Sequence, residues 1–254
     1  MGRVLLVLGV LGLLAGSAQP AFAATTVGET FQPDTSGATC NVNPGQEWNV
    51  LQTGRASGPS YAVPSGGVLT SWSFESGAAD ASDTTMNMRV FRATGTPQEY
   101  TAVADGSPLQ TIQHGSGLNT FPTRIAVQAG DYVGIRSTTG VCAHNTGNPA
   151  DTADHYFTAP LAIGIPQGFI GTPDFIWDVS AVLEPDADHD AYGDETQDQC
   201  PTDGSTHGPC PVPPAAPGTP GTSGTPVRVK KCKKHKKHRS SAVAAKKCKK
   251  KHRH

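Results

Sequence analysis

Between residues 24 and 183 the chain alternates apolar and polar side chains in short runs bounded by turn residues. That is the period of half-buried strands rather than of helices. Val68, Thr70, Trp72 and Phe74 fall on one face of such a run. Met86, Met88 and Val90 share a face, with Asn87 and Arg89 opposite. Ile125 and Val127 lead into the turn Gln128-Ala129-Gly130-Asp131, after which Val133 and Ile135 resume the pattern. Phe175, Trp177, Val179, Ala181 and Leu183 alternate with Asp178, Ser180 and Glu184. About eight to ten strands of this kind predict two packed sheets, an all-β, jelly-roll-like β-sandwich.

The pattern ends at Glu184, and composition then divides the rest of the chain. Residues 184–210 are acidic, and residues 211–226 form a Pro/Gly/Thr-rich segment expected to be extended and disordered. Residues 227–254 are a Lys/His-rich basic tail. At the other end, residues 1–23 have the form of a secretory signal peptide. Arg3 is followed by an apolar run from Val4 to Leu14 and by the small-x-small site Ala21-Phe22-Ala23. The apolar run is too short to span a bilayer, so the mature chain is expected to start near Ala24 and to be exported, without a transmembrane segment.

The whole chain of 254 residues has a formal net charge of −1, which conceals a strong separation. Fourteen of its 20 Lys and Arg residues lie after Val227, in a stretch without acids. All 21 acids lie before it, in company with few Arg and no Lys. In an intracellular protein such a tail suggests nucleic acid. In an exported one it suits anionic envelope polymers or surface glycans, or the protein's own acidic body. Export also favours disulfides, and the six cysteines fall into regional pairs: Cys40 with Cys142, Cys200 with Cys210, and Cys232 with Cys248.

The acidic segment carries the sharpest chemistry. Asp186, Asp188 and Asp190 stand at positions 1, 3 and 5 of a loop, Tyr192 at 7, Asp194 at 9 and Asp198 at 13. Alternate carboxylates point inward in such a loop, and the carbonyl at position 7 adds an oxygen, as a hard cation such as Ca²⁺ requires. Residues 184–203 hold eight acids and no base, so their charges repel unless a divalent ion intervenes. An EF-hand needs a bidentate Glu at position 12, where this chain has Gln197, and Pro185 and Pro201 leave no room for its helices.

Asp186, Asp188, Asp190, Gly193, Asp194, Asp198, Cys200 and Pro201 resemble the thrombospondin type-3 repeat, whose consensus runs Asp-x-Asp-x-Asp-Gly-x-Gly-Asp, then Asp and Cys-Pro. The departures are Ala191 in place of the first glycine, Asp198 one residue late, and a single copy. Ala191 makes the turn costlier. The resemblance implies calcium binding in an extracellular setting, often with a role in adhesion or the matrix. The full arrangement is similar to secreted bacterial proteins that join a sandwich to a short calcium repeat.

No Gly-x-Ser-x-Gly, His-Glu-x-x-His or phosphate-binding Gly-rich loop occurs, so a non-enzymatic protein is expected. His114, His144 and His155 lie in the β region without a motif, and His189 and His207 flank the acidic loop as bystanders. Two alternatives remain. One is a carbohydrate-binding module using Trp48, Trp72, Trp177, Tyr61 or Tyr156, with Trp72 and Trp177 in phase with core positions. The other is a glycan-active hydrolase built on paired carboxylates, which need no local motif.

Overall fold

β-branched and aromatic residues at alternate positions build strands, and no helix interrupts them among the described residues. A computed structural model describes residues 23–32, 38–41, 46–77, 83–138 and 141–214. Residues 1–22 of the expected leader, the Pro/Gly-rich segment from residue 215 and the basic tail with Cys232 and Cys248 lie outside the described residues.

The strands are β1 (Thr25–Glu29), β2 (Ala38–Asn41), β3 (Trp48–Gly54), β4 (Gly67–Ser76), β5 (Thr84–Ala93), β6 (Glu99–Ile112) and β7 (Gly117–Val127). They continue with β8 (Tyr132–Ser137), β9 (Val141–Asn145), β10 (Thr152–Tyr156), β11 (Pro166–Gly168), β12 (Ile170–Pro173), β13 (Phe175–Trp177) and β14 (Val179–Glu184). Their pairing explains the topology. β5 pairs with β6, β4 with β7, β3 with β8 and β1 with β14, all antiparallel. These nested pairs make one long ribbon with the β5–β6 connection at its tip. The ribbon rolls up so that β5 also meets β8 and β4 also meets β14. Two sheets result, β1-β14-β4-β7 and β6-β5-β8-β3, which is the jelly roll the sequence predicts. β10 and β12 extend the larger sheet past β3, β11 covers its β6 edge, and β13-β9-β2 form a small third sheet.

Met86, Met88, Val90, Val133 and Ile135 from one sheet and Leu69, Trp72, Phe74, Val179 and Ala181 from the other fill the core. The turn at Gln128–Asp131 forms as expected, closed by the Asp131 N–H on the Gln128 carbonyl at 3.1 Å. It carries the chain from β7 in one sheet to β8 in the other.

Several local expectations are corrected. Val68, Thr70, Trp72 and Phe74 do not share a face, because a β-bulge at Thr70 shifts the register. Leu69 joins Trp72 and Phe74 in the core instead, while Val68 and Thr70 lie outside that cluster. Phe175–Leu183 is not one strand but β13 and β14 in different sheets, separated by Asp178. The Asp178 carboxylate accepts from the Phe31 and Glu75 amides at this break. Arg89 lies opposite Met88 as expected, but it is buried. Its guanidinium bonds Asp105, Asn49 and the Leu161 carbonyl beneath the segment that follows β10. Cys40 and Cys142 face each other as backbone partners on β2 and β9 of the same small sheet.

Candidate metal centre

The acidic segment leaves the end of β14 and folds against the smaller sheet, in the same compact unit as the sandwich. Glu184 is the anchor. It is 1 % exposed. Its Oε1 accepts from the hydroxyls of Thr70 (2.9 Å) and Thr196 (2.6 Å). Its Oε2 accepts from the amides of Glu195 (3.0 Å) and Thr196 (2.9 Å). Burial pushes the Glu184 carboxyl up, but the donors from Thr196, Thr70 and Glu195 outweigh it and hold the group below the usual carboxylate range. Thr70 is available because it is the bulged residue of β4, out of the ladder on both sides.

The opposite strand makes a second dock. Thr123 and Arg124 are likewise skipped in the β4–β7 ladder. The Thr123 carbonyl accepts from Gln197 Nε2 at 2.8 Å, and the Arg124 guanidinium sits 4.0 Å from the centre of the Tyr192 ring. Tyr192 also stacks on His207, with ring centres 4.1 Å apart. Gly193, next in the chain, lies against Glu184 and Thr70. A Cβ there would meet Glu184 Oε2 at 2.5 Å and Thr70 Cγ2 at 2.6 Å, so the glycine is needed for close approach.

Within the segment the aspartates build a turn around themselves. The Asp190 and Ala191 amides donate to Asp186 Oδ1 and Oδ2 at 3.1 and 3.2 Å, and the Tyr192 amide donates to Asp190 Oδ1 at 2.9 Å. The Ala187 amide donates to Asp194, closing the loop from the far side. His189 and Ala191 adopt positive φ of 62° and 66°. Ala191 thus stands in the left-handed region, where a side chain is strained and a glycine would not be.

Asp186, Asp188 and Asp190 each bring one carboxylate oxygen within 4.8 Å of the others, a cluster that could hold a metal ion. Asp194 belongs to the same field. Burial raises its pKa, the Ala187 amide opposes this, and the charges of Asp186, Asp188 and Asp198 raise it further. Asp198 is 5 % exposed, and its Oδ1 accepts from the Cys200 amide at 2.8 Å. Its Oδ2 and both oxygens of Asp188 are buried without a hydrogen-bond partner. Buried polar atoms nearly always have partners, and a carboxylate oxygen without one is costly. These three oxygens are therefore free to face a cation.

The Cys200–Cys210 disulfide is formed as expected and closes a small loop over the site. Gly204 of that loop packs on Asp188, where a Cβ would stand 2.9 Å from its carbonyl oxygen. Of the predicted ligands, Asp186, Asp188 and Asp190 are brought together directly. Asp194 and Asp198 lie within electrostatic reach. The Tyr192 side chain is committed to His207 and Arg124. Thr70, Thr123, Arg124 and Gln197 are the residues missed from sequence, because their roles depend on bulges with no local signal.

The other candidate chemistry looks different. Trp48, Trp72, Trp177 and Tyr61 are buried, and Tyr156 packs on Phe169, so they offer no exposed row for stacking sugars. The buried acids Glu47, Asp131 and Asp151 are each paired with arginine, namely Arg136, Arg92 and Arg55.

The molecule is thus a jelly-roll sandwich with an acidic loop docked on its four-stranded sheet, whose Asp186-Asp188-Asp190 cluster could hold a metal ion. The chain matches no protein-family model, no curated protein and no solved structure.

Proposed function

We propose that this chain is an exported, non-enzymatic calcium-binding protein of the cell surface or extracellular matrix, with a role in adhesion. The observation that carries the reading is the set of buried carboxylate oxygens on Asp188 and Asp198 without donors, beside Asp186, Asp190 and Asp194. An all-oxygen, multiply charged ligand set suits a hard cation, and imidazole and thiolate donors are lacking from it. Oxygens that all lie within 4.8 Å of one another can share one cation with the metal–oxygen distances of Ca²⁺, about 2.3–2.6 Å. Asp186, Asp188, Asp190, Asp194 and Asp198 would hold the ion, and the Tyr192 carbonyl would complete the set. The ion would neutralise the repulsion that these acids exert on one another.

Export follows from the leader-like first 23 residues and accords with the Cys200–Cys210 disulfide. The basic tail, with its fourteen Lys and Arg, would then tether the protein to anionic envelope polymers or surface glycans. Titration calorimetry of the mature chain with CaCl₂ is the direct test. A dissociation constant of about 10⁻⁴–10⁻³ M is expected, with weaker binding of Mg²⁺. Absence of heat and of thermal protection at millimolar Ca²⁺ would refute it.

A further inference from the structure

The leader-like sequence ends at Ala23, and β1 begins two residues later, at Thr25. β1 runs antiparallel to β14, with Thr25 opposite Leu183. The start of β1 therefore lies beside the end of β14, where the cation loop departs. There the Ala24 nitrogen stands 2.6 Å from Glu195 Oε1, a contact between residues 171 positions apart in sequence. Glu195 is not one of the cation ligands. Its own amide is tied to Glu184, which fixes its backbone.

We propose that the peptide bond between Ala23 and Ala24 is the processing site, and that the α-ammonium released there takes Glu195 as its fixed counter-ion. This rests on the export reading above. A membrane-associated signal peptidase would catalyse hydrolysis of the bond. The hydroxyl of water adds to the Ala23 carbonyl carbon, and the C–N bond breaks. The nitrogen takes up one proton from water and one from the new carboxylic acid. Ala23 leaves as a carboxylate, and Ala24 remains as an ammonium. Before the cut, the Ala24 nitrogen carries a single neutral N–H. Afterwards it carries a full positive charge and three donors at the same carboxylate. Maturation thus converts a neutral contact into an ion pair that fastens the first strand to the cation loop. A cut one residue to either side would place the charge elsewhere.

The test uses the full precursor expressed in a secreting host, with Glu195→Gln and with a glycine inserted between Ala23 and Ala24, singly and together. Intact mass should show a mature start at Ala24 in the parent and one extra glycine in the insertion. At low salt, Glu195→Gln should lower the melting temperature by about 1–3 °C in the parent, because exposed pairs are weak. It should have no effect in the insertion, whose ammonium is displaced. The effect should fade at high salt. A chain that retains residues 1–23 would overturn the export reading and the pair together. A start at Ala24 with the same Glu195→Gln effect in both backgrounds, or none in either, would overturn the pair alone.

Discussion

Asp188→Asn exchanges a carboxylate for an amide of the same shape, and its effect on stability should depend on calcium. Both oxygens of Asp188 are buried without donors, and Asp186 and Asp190 place carboxylate oxygens within 4.8 Å. An unsatisfied buried acceptor costs about 1–3 kcal/mol, and more when charged. The amide removes the charge and offers two N–H groups to the neighbouring carboxylates. In chelator the variant should therefore be more stable than the parent by about 1–3 kcal/mol, which raises the melting temperature by about 3–9 °C.

Calcium should act the other way. A ligand that binds only the folded state stabilises it by RT ln(1 + [L]/Kd). With Kd at about 10⁻⁴–10⁻³ M and calcium at about 10 mM, the parent gains about 1.4–2.7 kcal/mol, or about 4–8 °C. The variant, short of one ligand, should gain less than about 2 °C. Scanning calorimetry of both proteins in chelator and in calcium gives the four melting temperatures. The gap seen in chelator should close or reverse in calcium. An Asp188→Asn protein that melts below the parent in chelator, or that shows the parent's calcium-induced rise, would refute the cation reading of these oxygens.

Two further changes probe the dock and the turn. Glu184→Gln removes the charge from a buried group with four donors, so it should lower stability by about 2 kcal/mol near neutral pH, or about 4–8 °C by calorimetry. Because Glu184 titrates below the usual range in the folded chain, its contribution is complete above its unfolded pKa of about 4.3 and vanishes as pH falls through the lower folded value. Melting temperatures of parent and variant should converge in acid, and a gap that persists to about pH 2 would count against this account. Ala191→Gly relieves a positive φ of 66° and should raise stability by about 1 kcal/mol, seen as a higher denaturant midpoint at unchanged slope. An unchanged or lower midpoint would show that the turn is not strained at Ala191.

What was legible in the sequence was local. The Met86-Met88-Val90 and Val133-Ile135 alternations mark core strands because a single register holds along each. The Asp-x-Asp-x-Asp spacing marks the loop because the chain folds around its own side chains within a few residues. Contacts set by distant segments were not legible. Thr70 reads as a core position until the bulge is known. Arg89 reads only as opposite the Met86-Met88-Val90 face, and nothing local shows that Leu161 and Glu47 cover it. Trp48 stands near a loop in sequence, yet it is buried and stacked on Phe157. The strands β9 to β13 run three to five residues, too short to establish a period, and fourteen strands form among the described residues where about eight to ten were expected.

The bulges connect these levels. A bulge removes a residue from the ladder and leaves its polar groups to find other partners. At Thr123 the freed carbonyl accepts from Gln197 of the acidic segment, while beside it the Thr70 hydroxyl and the Arg124 guanidinium meet Glu184 and Tyr192. The defects in the β4–β7 pairing are thus attachment points of the acidic loop. The carboxylate that accepts from Thr70 also accepts from Thr196, two residues beyond Asp194. Energy that a bound cation supplied at the aspartates would therefore reach the four-stranded sheet through a buried, charge-assisted hub. For that reason calcium should shift the melting of the sandwich itself, and the Asp188→Asn comparison can be made on the main unfolding transition.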